Sequence, residues 1–240
     1  MGSYFPNPTR GLRRCGPVLA LCLVPWVMIG KTCHAARPLL TDDAQVLGPG
    51  ECQVETWVQR TARTEQLWLL PACVVSGANE WALGGRAASS GYSGHSEWLG
   101  QYKTVWRSVG PGRTGGAIAL GAGRSEGQSF VYMNLPLTWR SASEATAIHV
   151  NAGWIGPVAS KRPGWMTWGV ASELRVSPDL WGIVERYQPS PDRAQWQAGL
   201  RWWIVPSKLQ LDATLGQLRE GGMKVTSATA GLRWIFTLPS

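Results

Sequence analysis

An all-β fold is predicted for this sequence: a single antiparallel transmembrane β-barrel of about 12 strands, with N- and C-termini periplasmic. Three observations carry that expectation. The first is alternation. Ala194, Trp196, Ala198, Leu200, Trp202 and Ile204 fall on one face of an extended chain, opposite Gln195, Gln197, Gly199 and Arg201, which is the two-residue period of a strand. Leu209, Leu211 and Leu215 repeat it against Gln210, Asp212 and Thr214, and Leu232, Trp234 and Phe236 repeat it against Thr229, Gly231 and Arg233. A soluble sandwich would set far more Lys and Glu on its outer face, whereas a membrane barrel turns the bulky face to lipid and the polar face to a wet lumen. The second observation is tryptophan: fourteen of the fifteen follow residue 35. Several sit near strand ends, where interfacial girdles form: Trp57, Trp98, Trp106, Trp139, Trp154, Trp165, Trp181 and Trp234. The third is the start of the chain, where Arg10, Arg13 and Arg14 precede an uncharged run from Val18 to Ile29.

That run has 12 residues, short of the roughly 20 a spanning helix needs, and reads as the core of a signal peptide. Cleavage after Ala35 gives three parts: residues 1–35 as a removed leader, 36–50 as a periplasmic or plug segment, and 51–240 as the barrel. Loss of the leader takes four cations and no anion, lowering the net charge from +8 to +4. The remaining cations are spread along the chain and do not form a phosphate-tracking surface, which excludes nucleic acid as a partner. With no later run of 18 apolar residues and with strands throughout, the expected location is the outer membrane of a Gram-negative bacterium.

The strands follow in order, each about the 9–11 residues that a tilted membrane strand requires. The first two, 52–60 and 65–75, carry Cys52 and Cys73. Strand 79–88 turns Glu80 and Arg86 inward, and 97–109 turns Gln101, Lys103 and Arg107 inward. Strand 115–124 is followed by 128–140 with Asn134 inside, by 145–155 with His149 and Asn151, and by 164–176 with Thr167, Glu173 and Arg175. In 180–188 the adjacent Glu185 and Arg186 force one charge out of the lumen. Strand 194–205 places Gln195, Gln197 and Arg201 inside, 209–218 places Asp212 and Thr214, and 225–238 places Arg233. The connections at 76–78, 141–144, 177–179 and 206–208 are tight, as periplasmic turns should be, while 89–96, 156–163 and 189–193 are longer and suit external loops.

Cys15, Cys22 and Cys33 fall in the leader, so Cys52 and Cys73 are the mature pair. Their midpoint lies in the turn 61–64, so a regular hairpin sets them opposite each other, and an oxidising periplasm closes the bridge. A redox pair would need CxxC spacing, and a metal site would need neighbouring His or Cys. Only His95 and His149 remain beside them. The segment 148–154 is faintly similar to lipid A deacylases and outer-membrane phospholipases, in which His and Ser stand two apart. Here Asn151 holds the nucleophile's place, and an amide cannot accept an acyl group. No enzymatic activity, cofactor or metal is therefore expected.

The stretch from Arg37 to Ala44 followed by Pro49 to Trp57, the Pro71-Ala-Cys73 motif leading to 79–85, and the His149-x-Asn-x-Gly153 strand resemble small proteobacterial outer-membrane barrels associated with the meta-pathway of phenol degradation. That resemblance implies passage of small, hydrophobic or aromatic compounds. The expected function is a channel or transporter for small molecules, with outer-membrane lipid, barrel-assembly and periplasmic chaperone machinery and a small solute as partners. Its rivals are a lipid-modifying barrel enzyme, disfavoured at Asn151, and a structural or adhesive barrel, which the loop 89–96 would suit. Residues 36–50 either stay periplasmic or fold up as a plug whose Asp42 and Asp43 meet lumen arginines. The alternation also predicts that Leu200→Arg or Leu232→Arg impairs folding, while Arg201→Gln or Arg233→Gln spares it.

Overall fold

Twelve antiparallel strands close on themselves in a computed structural model that describes residues 39–90, 93–159, 162–220 and 222–238. The leader at 1–35 and residues 36–38 lie outside the described residues, as does the side chain of His95. The strands are β1 (Glu51–Thr61), β2 (Glu65–Ser76), β3 (Asn79–Ser90), β4 (Ser93–Arg107), β5 (Thr114–Ser125) and β6 (Gln128–Arg140). They continue as β7 (Thr146–Pro157), β8 (Trp165–Arg175), β9 (Leu180–Ser190), β10 (Arg193–Val205), β11 (Leu209–Glu220) and β12 (Met223–Thr237). Each pairs with its sequence neighbours, and β1 pairs with β12 from Glu51↔Thr237 to Thr61↔Ser227. Closure removes both sheet edges, so every strand finds hydrogen-bond partners without water, which hydrocarbon demands.

Alternation decides what each strand buries. On β10, Leu200 is 52% exposed and Arg201 0%. On β7, Ile148, Val150 and Trp154 face out while His149 and Asn151 face in. The outer wall carries Leu83, Leu120, Leu135, Val150, Val170 and Leu215, all exposed, which is the inverse of a soluble domain and matches a wall bathed in lipid. Trp98, Trp154, Trp165, Trp168 and Trp196 ring it toward one end, and Trp81, Trp106, Trp139, Trp202 and Trp234 toward the other. Along β4, Trp98 and Trp106 are eight residues apart, about 26 Å of strand and about 20 Å of height at a tilt near 40°, close to the height of a lipid-facing band. Trp57 and Trp181 depart from the girdle expectation: both are buried and face the lumen, because their parity on β1 and β9 is that of Glu55 and Ile183.

Two expectations about connections are corrected. The stretch 89–96 is not a long external loop, since β3 runs to Ser90 and β4 begins at Ser93. Residues 189–193 are likewise almost all strand, with only 191–192 between β9 and β10. At the end of the barrel remote from the start of β1 only 158–164 is long, so loop length does not distinguish the two ends. Extended Ser- and Gly-containing sequence continues the ladder wherever a partner strand is already in register, as in the pairs Ser89↔Gly94 and Ser90↔Ser93.

The hairpin register places Cys52 opposite Cys73, and the two are bonded. Beside them, Gly50 at φ 80° turns the chain out of the lumen and into β1, a backbone geometry that a side chain would strain. Its N–H donates to Val74 O at 2.7 Å and its carbonyl accepts from Leu238 N at 3.1 Å, tying the turn to both neighbouring strands.

Candidate functional site

Residues 39–50 lie inside the barrel, in the half toward the end where β1 begins and β12 ends. Ala44, Thr41 and Asp43 are buried there, with Leu39 packed against Ala171 and Ile183, and Leu47 against Val74, Trp181, Trp203 and Ile235. Backbone groups of a segment with no strand partner must be satisfied by side chains, and the inward faces supply them. Glu185 accepts from the N–H of Leu40 at 3.0 Å and from the N–H of Thr41, while Gln197 donates to the same carboxylate at 2.6 Å. Asn151 clamps Asp42 on both sides, accepting from its N–H at 2.8 Å and donating to its carbonyl at 2.7 Å, with Asn134 donating to the Asn151 oxygen at 2.8 Å. Ala44 N donates to Thr138 Oγ1 at 2.9 Å, and Arg140 donates to Gln45 Oε1 at 3.0 Å.

The ionic anchor is Lys103, whose Nζ lies 2.9 Å from Asp42 and 3.3 Å from Asp43. Lys103 on β4 thus meets both aspartates, as a compact ammonium can serve two carboxylates at once. Between this anchor and the wall is a cavity of about 40 Å³ bordered by Gln53, Glu80, Gln101 and Arg233, room for a few waters.

Behind the segment runs a second polar row. Thr138 Oγ1 shares a hydrogen bond of 2.9 Å with His149 Nδ1, and His149 Nε2 stands 3.3 Å from Glu173. Arg201 donates to Glu173 at 2.5 Å and to Asp212 at 2.9 Å, and Gln210 donates to the other Asp212 oxygen at 2.6 Å. The hydroxyl, imidazole and carboxylate stand in the order of a hydrolytic triad, but the hydroxyl is already capped by the Ala44 amide and wholly buried. The row therefore braces the segment against the wall. Gln195 and Gln197 join it from β10, with Thr214 donating to Gln197 at 2.9 Å. A third group links Arg233 to Gln53 at 2.7 Å and to Glu55 at 3.7 Å.

Arg86 faces inward toward the far end, held by Glu97 at 3.0 Å and lying over the Trp68 ring. Arg175 reaches the opposite mouth, exposed and stacked over Trp181 at 4.8 Å. Arg107 does not join the lumen: after the bulge that follows Val105 it pairs with Gly116 and is exposed. A bulge adds one residue and flips the parity beyond it, which periodic reading of the strand cannot foresee. The sequence-based list also lacked Thr138, Arg140, Glu55 and Glu185, although the first three follow from simple alternation. It lacked an apolar patch as well. Trp57, Leu70, Ala72, Ala82 and Leu99 cluster on the inner wall with Trp68 and Phe130 packed against them, and the Trp57 and Trp68 rings stack at 5.1 Å. Among the described residues no group of three or more His, Cys, Asp or Glu is placed to hold a metal ion.

A closed twelve-strand barrel with a lipid-type exterior and a polar lumen defines the outer-membrane porin class of fold. Solved structures agree: a KdgM porin in complex with disordered oligogalacturonate is similar at 9% identity and TM-score 0.60, over 77% of this chain and 99% of that one. The NanC porin matches at 8% identity and TM-score 0.59 over 76% and 98%. The COG4313 outer membrane channel from Pseudomonas putida F1 matches at 10% identity and TM-score 0.60 over 81% and 98%. At such identities the likeness concerns the fold. The chain belongs to the family described as uncharacterised conserved protein UCP029691, whose model matches residues 24–233. No curated protein matches the sequence.

Proposed function

We propose that this protein is an outer-membrane channel for small molecules, held closed in the present state by its own N-terminal segment. The observation that supports it best is the manner of closure. Residues 39–50 fill the lumen through polar anchors, chiefly Glu185, Asn151 and Lys103, and not through a continuous apolar core, so water can replace each contact when the segment leaves. An even strand count returns the C-terminus to the side of the N-terminus, which we assign to the periplasm. The solute that suits the wall is small and carries both an aromatic or apolar moiety and a polar group. The Trp57, Trp68 and Leu99 patch would receive the first, and Gln101, Glu80 and Lys103 beside it the second. A polyanion suits it less well, because Glu55, Glu80, Glu173, Glu185 and Asp212 share the lumen with its cations.

The test is single-channel recording of the refolded chain beside Asp42→Asn/Asp43→Asn, which removes both carboxylates from Lys103. The parent should show a low conductance with rare openings, and the double variant a steady conductance several-fold higher. Two equally sealed barrels would favour a structural protein that transports nothing.

A further inference from the structure

The outer wall of β9–β12 carries, at the end remote from the start of β1, a hollow edged by three cations. Register places Trp196 of β10 between Arg186 of β9 and Gln217 of β11. Two residues nearer the tip, Arg219 of β11 stands between Ala194 of β10 and Lys224 of β12. Same-face rows two residues apart lie about 7 Å from each other and adjacent strands about 4.8 Å, so these side chains border one patch. The small Ala194 leaves it concave: a hollow of about 280 Å³ has Arg186, Trp196, Gln217, Arg219 and Lys224 in its lining, and no carboxylate among the described residues. This sets it apart from Arg60 at the same end, which is matched by Glu65 at 2.6 Å. Toward the middle of the wall, Val184, Leu200 and Leu215 are exposed apolar side chains on the same face.

The Arg186 guanidinium lies 5.6 Å over the Trp168 ring, and with Arg219 and Lys224 it makes this stretch of the lipid-facing wall cationic, so an anion settling among them is favoured. At headgroup level the anions at hand are lipid phosphates, which Arg forks bind through charge-assisted hydrogen bonds. We propose that this hollow is a binding site for the phosphate headgroup of a phosphorylated lipid of the outer leaflet, whose acyl chains lie along Val184, Leu200 and Leu215. The proposal rests on the outer-membrane reading with periplasmic termini, which puts this end of the barrel outward. Trp196 at the centre of the row gives the sugar or glycerol part of such a headgroup an amphipathic ring to lie against.

The experiment titrates the folded full chain in detergent with bisphosphorylated lipid A, with its dephosphorylated form and with inorganic phosphate, reading retained ligand by native mass spectrometry. Arg186→Gln/Arg219→Gln/Lys224→Gln is compared with Arg107→Gln/Arg113→Gln, which alters cations near the other end. The expected result is retention of the bisphosphorylated lipid, weakened tenfold or more in the triple variant and unchanged in the double. Dephosphorylated lipid should bind the parent no better than the phosphorylated lipid binds the triple variant. Equal retention by the triple variant, or equal binding of dephosphorylated lipid, overturns the proposal; binding of inorganic phosphate at the same midpoint reduces it to a bare anion site and overturns the lipid. A heat-modifiable gel shift checks folding in every sample. If the triple variant does not fold, Lys224→Gln alone is read by the same criteria. A parent that forms no barrel counts against the outer-membrane reading itself.

Discussion

Arg201 shows how a lumen charge differs from a surface one. It is wholly buried between Glu173 and Asp212, so the guanidinium is the counter-charge for two carboxylates withdrawn from water. Alternation alone led to the expectation that Arg201→Gln spares folding; the geometry reverses it. Removing one partner from a buried ionic group leaves uncompensated charge and costs about 3–5 kcal/mol. Equilibrium unfolding of Arg201→Gln in urea, in lipid vesicles, should show a loss of that order. A wild-type stability for Arg201→Gln would mean that water reaches the pair and screens it.

Among the elements, the N-terminal segment depends on space that the wall leaves for it. Gly169 on β8 faces it directly: a Cβ there would stand 2.5 Å from Thr41 Oγ1 and 2.9 Å from Tyr187. Gly169→Val should therefore displace the segment while leaving the ladder of β8 intact, raising conductance in the manner of the Asp42 and Asp43 variants. Faster proteolysis near residue 41 in the variant would report the same event independently, and an unchanged digestion pattern would argue against it. The β1–β2 hairpin makes a separate prediction. Its disulfide spans 21 residues, and the chain-entropy account assigns about 3 kcal/mol to a loop of that size. Cys52→Ser/Cys73→Ser should fold with a lower urea midpoint, and reduction should shift the parent but not the variant. Because Gly50 is tied to Val74 beside the bridge, the same variant should also show more frequent channel openings.

At the scale of the whole molecule, the wall must be apolar over a band whose height matches the hydrocarbon. Leu200 lies in that band between Trp196 and Trp202 on β10. An arginine there costs about 2–4 kcal/mol near the midplane, so Leu200→Arg should lower the folded yield in liposomes. Measured side by side, Leu200→Arg should suffer through poor insertion, whereas Arg201→Gln should insert and then unfold at lower urea. Equal insertion of Leu200→Arg and the parent would place this face away from lipid.

Strand number, face assignment and the Cys52–Cys73 pairing were legible in the sequence because they depend on local rules. The two-residue period fixes which side chains share a face, and a short symmetric hairpin fixes which residues oppose each other. Leu200 outside and Arg201 inside follow from ten residues of β10 alone. What the inner side chains do to one another was not legible, because barrel closure and strand stagger decide which of them meet across the lumen. Glu185 receives the amide of Thr41 from 144 positions away, and Lys103 finds Asp43 across 60; no local pattern encodes either distance. The bulge after Val105 that expels Arg107 also depends on the partner strand. The sequence by itself thus determined a membrane barrel and its inside and outside. Only the tertiary structure decided which inner side chains residues 39–50 meet, since that turns on where the closed wall offers their backbone donors and acceptors to replace water.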